Sequence, residues 1–218
     1  MTLYYHKLLY LLPIALITGP FLPDLIVVTC SILFLIDTFR YKLFSYYNNE
    51  FFKFFLIFFI LINLSSLFSD NLISFKYSLS YIRYGVFSIF LFFILKKFPN
   101  FKFNFSLIII FVFSFLILDG FIQYFFGKNL FFFNLENYQT GLPFVTSVFE
   151  EEKKLGSFLS RLSPILFISI LFIREKYKFK LELIIIILIF LIFSLTLLTT
   201  ERIAIFIITS FIILLSLK

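Results

Sequence analysis

Arg161 and Arg202 are the residues of this chain best suited to chemistry, because each stands beside polar sequence in a chain otherwise built of Phe, Ile and Leu blocks. A guanidinium stays charged and presents a planar fork of donors. That suits bidentate contact with pyrophosphate oxygens and offsets the negative charge that develops as a sugar–phosphate bond breaks. Arg161 closes a long polar interruption, Gly120 to Ser160, and lies roughly 7 to 8 Å along a helix expected to start at Gly156. A charge at that depth snorkels, pairs or faces a polar cavity. An ion pair with Glu152 or a lipid headgroup is therefore as good a reading as ligand contact. Arg202 opens a helix at a membrane surface, where the helix dipole favours an anionic ligand; a local ion pair with Glu201 is the alternative.

Other candidates are subsidiary. Asp119 and Gln123 are four apart, so they share one helix face and either orient a sugar or an arginine, or cap and line the loop that follows. Arg83 and Lys76 extend a cationic rim or anchor the chain at the interface. The run Glu150-Glu151-Glu152 offers a base, although a solvated acidic run is the commoner outcome. The single histidine, His6, and the single cysteine, Cys30, leave no zinc site, no disulfide framework and little His-base chemistry. Nothing has the spacing of a P-loop, a dinucleotide turn or a metal-ligand cluster, so no cofactor is expected and no catalytic base is assigned.

These residues must be positioned by membrane helices. With 61% hydrophobic and 14% charged residues and a mean hydropathy of +1.07, a chain of 218 residues is too apolar for a soluble domain. The fold class expected is all-α, a polytopic transmembrane bundle. Its eight apolar blocks are Leu8 to Thr18, Leu25 to Phe39, Phe54 to Phe68, Tyr81 to Leu95, Phe105 to Ile122, Gly156 to Ile173, Leu183 to Leu198 and Ile203 to Leu217. The first block is short and is broken from the second at Gly19-Pro20 and Pro23-Asp24, which suits a partly inserted or tilted helix. No small-residue cleavage site follows it, so an uncleaved anchor is expected.

A cytoplasmic N-terminus places 12 of the 19 basic residues inside, as the positive-inside rule requires. Lys96-Lys97 and Arg174 to Lys180 then face anionic headgroups, which accounts for the net charge of +7 without nucleic acid. The same topology puts the 120–160 loop and the Glu201-Arg202 turn together on the outer face. That loop holds four of the six glycines (Gly120, Gly127, Gly141, Gly156) and the polar residues Asn134, Glu136, Asn137 and Gln139. It is longer than most loops of compact proteins. Its aromatics, Tyr124 to Phe126 and Phe131 to Phe133, suggest a segment packed on the membrane interface.

The run Asp119-Gly120-Phe121-Ile122-Gln123-Tyr124-Phe125-Phe126-Gly127-Lys128-Asn129, then Gly141, Phe149 to Gly156, Ser157 to Pro164, and later Thr200-Glu201-Arg202, resembles the middle of bacterial O-antigen ligases and polymerases. In that family the loop reads roughly D-G-x-x-Q-x-x-x-G-x-N, then F-G-D-E-x-x-x-G-S-x-x-x-R-x-x-P, with G-E-R heading a later helix. Here Glu150-Glu151 stand where Gly-Asp is common, and Thr200 replaces Gly; a tight turn near Glu150 is thereby put in question, since Gly tolerates backbone angles that Glu does not. The resemblance implies an inner-membrane glycosyltransferase that takes glycan from undecaprenyl pyrophosphate on the periplasmic face. Ligases pass it to lipid A core, and polymerases to a second lipid-linked glycan. It also implies that arginines hold the pyrophosphate while a base in a later periplasmic loop, often His, activates the acceptor. That loop has no counterpart here, so the chain reads as a single transmembrane domain corresponding to the N-terminal half of the family. A transporter or flippase for a polyprenyl-linked glycan is the alternative class, although such a protein needs mid-membrane polar residues and repeated halves, and Asn63 is the nearest such residue. An inactive fragment that packs on a separately encoded second half is the third reading.

Overall fold

In the computed structural model, residues 4–68, 72–137, 143–150, 152–177 and 182–216 are described. Gln139, Gly141, Glu151, Lys178, Lys180 and Lys218 lie outside them. Among the described residues the protein is all-α apart from one ribbon of two two-residue strands, β1 (Glu136–Asn137) and β2 (Pro143–Phe144), paired antiparallel. Five helical stretches are long and apolar enough to cross a membrane: Phe21–Tyr41, Glu50–Leu67, Leu72–Lys97, Pro99–Phe126 and Leu155–Ile173. Two more, Ile186–Leu198 and Arg202–Leu214, are as apolar but shorter.

The chain forms two compact units, Met1–Phe101 and Lys102–Lys218. In the first, the leading apolar block is not one continuous α-helix. It is a 3-10 helix, Tyr4–Leu11, followed by the four-residue α1 (Leu12–Ala15). Pro13 sits in the first turn of α1, and Gly19, at φ +113, ends the segment before α2 (Phe21–Tyr41) begins. Then follow α3 (Glu50–Leu67), α4 (Leu72–Ser80) and α5 (Ile82–Lys97). Asn49 caps α3 by accepting from the Phe52 N–H at 2.8 Å. α2 packs chiefly on α5 around the fully buried Phe34, Phe90, Ile89 and Ile94. The Phe34 and Phe90 rings lie 5.4 Å apart. Asn63 of α3 is engaged by α4: its side-chain oxygen accepts from Ser78 Oγ at 2.9 Å and its amide donates to the Phe59 carbonyl at 2.8 Å.

The second unit contains α6 (Pro99–Phe126) beyond its first turn, α7 (Leu155–Tyr177), α8 (Glu182–Leu198) and α9 (Arg202–Ser216). α7 packs mainly on α9 and also on α8, burying Leu159, Leu166, Ile192, Leu195, Ala204 and Ile208. α6 runs past Gly120 to Phe126, so Gly120 and Gln123 are helical and the loop is the shorter stretch 127–154. The reason is local. No residue between Gly120 and Phe126 breaks a helix, whereas Gly127 takes φ +74 and its N–H bonds back to the Gln123 carbonyl. Gly120 is instead a packing contact, because a Cβ there would stand 2.9 Å from Leu195 of α8. Pro164 lies inside α7 and cannot donate to the Ser160 carbonyl; the Ser163 hydroxyl donates to it instead at 2.9 Å.

Candidate functional site

The loop end of the second unit is organised by three buried polar side chains. Asp119 and Gln123, one turn apart on α6, are fully buried, as is nearly all of Asn129. Asp119 Oδ1 accepts from the Leu130 N–H at 2.9 Å, and Oδ2 accepts from Ser147 Oγ at 2.5 Å and Asn129 Nδ2 at 3.3 Å. Gln123 Oε1 accepts from the N–H groups of Thr146 (2.9 Å) and Ser147 (2.6 Å), while its Nε2 donates to the Asn134 carbonyl and to Thr146 Oγ1. Asn129 Oδ1 accepts from the N–H groups of Phe131 and Phe133, and its amide also donates to the Ser147 carbonyl at 2.8 Å. Asp119 and Gln123 thus hold both flanks of the loop, the capping and lining role that their spacing allowed. Their polar atoms are committed to the protein, as buried groups require.

The second construction joins α7 to the turn between α8 and α9. Glu201 Oε1 accepts from the Gly156 N–H at 2.8 Å, and Oε2 accepts from the Ser157 N–H at 2.9 Å and Ser157 Oγ at 2.5 Å. A carboxylate at a helix N-terminus satisfies orphan donors and complements the dipole. The contact needs Gly156, since a Cβ there would stand 2.4 Å from Thr199 Oγ1. The Val145 N–H donates to the Leu198 carbonyl, tying the loop to the same turn. Glu201→Ala is expected to lower stability by about 1–2 kcal/mol, seen as a lower midpoint for thermal aggregation of the detergent-solubilised protein, with Glu201→Gln showing a smaller shift.

Both arginines are near this clasp in the chain: Arg202 follows Glu201 and opens α9, and Arg161 lies one turn beyond Ser157 on α7. Both are exposed. Arg161 shares its face of α7 with the exposed apolar residues Ile165, Ile168 and Phe172. Neither arginine has a carboxylate partner among the described residues. The two local pairings open from sequence are not formed: Glu201 is committed to the start of α7, and Glu152 pairs with Lys154. Lys153 lies over the Phe144 ring, 4.2 Å from its centroid. Arg83 belongs to the first unit, where it pairs with Asp24 at 2.9 Å and lies over the Tyr84 ring. Lys76 is exposed on α4, and His6 stacks on Phe98, 4.3 Å between ring centroids. Among the described residues, no group of three or more His, Cys, Asp or Glu side chains is placed to hold a metal ion.

Among the described residues of the second unit, four non-glycine residues have the positive φ that favours glycine, Phe132 (φ 66), Ser147 (φ 54), Glu150 and Thr200, and the last two stand where the resemblance has glycine. Glu150 has φ 54 and ψ −123, and the Glu152 N–H bonds the Phe149 carbonyl. Thr200 has φ 57. Both residues therefore carry strain that a glycine would not, most of all the β-branched threonine. Glu150→Gly and Thr200→Gly are each expected to raise stability by about 1 kcal/mol despite the freer unfolded chain, measured by the same thermal midpoint. Asn129, Ser147 and Ser157 carry no electrostatic signature in the sequence; the available signals are an Asn two residues after a glycine and a Gly-Ser pair opening a helix.

Comparison of the chain with protein-family models, with curated proteins and with solved structures finds no match.

Proposed function

We propose that this chain is a membrane glycosyltransferase of the O-antigen ligase or polymerase type, acting on undecaprenyl-pyrophosphate-linked glycan at the periplasmic face of a bacterial inner membrane. The acceptor is lipid A core or a second lipid-linked glycan. The orientation that goes with this reading is the eight-span one with a cytoplasmic N-terminus, which puts the 127–154 loop and Arg202 on the outer side. One observation carries it: two exposed arginines, neither paired with a carboxylate among the described residues, are carried by the two helices that the Glu201 clasp joins. A lipid-borne pyrophosphate arrives laterally at headgroup level. Arg161, on the lipid-exposed face of α7 and within snorkelling reach of the surface, is suited to meet it there. Arg202 opens α9, where the first-turn N–H groups favour the same anion.

The residues behind the resemblance also support the reading. Asp119, Gln123 and Asn129 of the first motif hold the loop, while Gly156, Ser157 and Glu201 of the later ones form the clasp. Glu150 and Thr200, which replace the family's glycines, keep positive φ. In the proposed reaction the acceptor hydroxyl attacks the anomeric carbon, the bond to pyrophosphate breaks, and the arginines stabilise the departing undecaprenyl pyrophosphate. The experiment replaces Arg161 and Arg202, each by Lys and by Ala, in a strain whose lipopolysaccharide ladder depends on this chain. Normal ladders from all four variants would overturn the proposal.

A further inference from the structure

The stretch between Gly127 and Leu135 does not rise away from α6 but folds back along it. The Leu130 N–H bonds Asp119, and the Phe131 ring packs on Phe115 with 6.2 Å between centroids. Asp119 and Phe115 lie seven and eleven residues before the end of α6 at Phe126, or about 10 and 16 Å back along the axis at ~1.5 Å per residue. The exposed residues of α6 over that distance are Leu118, Tyr124, Phe125 and Phe126, apolar apart from the tyrosine hydroxyl near the helix end. The hairpin tip is apolar too, with Leu130 52%, Phe131 54% and Phe132 81% exposed. Lys128 is the one charged residue between Gly127 and Leu135 and sits at the neck, beside the helix end.

Irregular backbone does not survive against lipid unless its polar groups are satisfied internally. This hairpin meets that condition for its donors. The five consecutive N–H groups from Asn129 to Phe133 are all bonded: Asn129 to the Phe133 carbonyl, Leu130 to Asp119, Phe131 and Phe133 to Asn129 Oδ1, and Phe132 to the Asn129 carbonyl. The Leu135 N–H closes the neck on the Gly127 carbonyl.

We propose that residues 128–134 form a re-entrant hairpin that inserts Leu130, Phe131 and Phe132 among the lipid acyl chains beside α6, with Lys128 at the headgroups and Asn129 as its internal hydrogen-bond hub. The partner is the hydrocarbon of the bilayer leaflet, and the inference is independent of the reaction the protein performs. The chain has no tryptophan, so one introduced indole reports alone. The full chain carrying Phe132→Trp, and in parallel Leu130→Trp, is reconstituted into phosphatidylcholine–phosphatidylglycerol vesicles; Leu118→Trp on the lipid-exposed face of α6 serves as reference. Acyl-brominated phosphatidylcholine is expected to quench both hairpin reporters as strongly as the reference, and several-fold more than iodide present on both sides. Strong iodide quenching with little effect of bromolipid at both positions would overturn the insertion. Adding Asn129→Ala to Phe132→Trp is expected to reverse the preference towards iodide. Unchanged bromolipid quenching in that double variant would overturn the hub role of Asn129.

Discussion

Arg202→Ala and Arg161→Ala are each expected, on the proposed transferase reading, to reduce glycan transfer by about 10²–10³-fold, the size of effect seen when one donor to a developing anion is removed. In a ladder assay this appears as loss of the long-chain bands with accumulation of lipid-linked precursor. The charge-conserving variants separate the two sites. Arg202→Lys keeps a point charge at the mouth of α9 but loses the planar fork, so it is expected to retain partial transfer. Arg161→Lys should fall further, since reaching headgroup level from within α7 relies on the reach of the side chain as well as its charge. Protein abundance should be unchanged in all four, because neither arginine makes an ion pair among the described residues and both are exposed. A fall in abundance parallel to the fall in transfer would instead assign the arginines to anchoring.

The largest effect on stability is expected from Asp119→Ala. It leaves the Leu130 N–H, the Ser147 hydroxyl and the Asn129 amide without their acceptor in a fully buried position. Each buried donor left unsatisfied costs about 1–3 kcal/mol, so stranding three there costs several kcal/mol. The hairpin and the Thr146-Ser147 segment should detach together, read as rapid cleavage between Gly127 and Lys154 by a protease added on the loop side of sealed vesicles. Asp119→Asn is expected to be intermediate. Its oxygen keeps the Leu130 N–H, and its amide can donate to the serine hydroxyl, but it meets the Asn129 amide donor to donor.

Hydropathy located most of the helices, because long apolar blocks report burial and lipid contact directly; what it could not fix were their ends. α6 overran its expected end at Ile122 because a polar Gln and a Gly look like loop in composition while remaining good enough helix when their faces pack. The first apolar block was legible as short and broken at Gly19-Pro20, but not as a 3-10 turn with a four-residue helix, and the break expected at Pro23-Asp24 is absent because both residues lie in the first turn of α2, where a proline's missing donor costs nothing. The candidate site divides the same way. The arginines and the Asp119–Gln123 spacing are local and could be read. The partners of Asp119 and Glu201 could not, since Ser147 is 28 residues away from the one and Gly156 45 away from the other. The pairing of Glu201 with Arg202 favoured by adjacency lost to a helix N-terminus that supplies two N–H groups and a hydroxyl at once.

Glu201 also acts as a spacer between cations. Its backbone is bonded to Arg202, and its carboxylate holds the first turn of the helix that carries Arg161. The separation of the two helix starts is therefore set by three short hydrogen bonds before any ligand arrives. Two cationic side chains rooted at helix starts held at a fixed interval have less freedom to lose on binding than unconnected ones and can favour an anion of matching span over a single headgroup phosphate. Weakening the clasp would make that interval variable, so, if the arginines bind pyrophosphate as proposed, selectivity between diphosphate and monophosphate lipids should decline before affinity for either is lost.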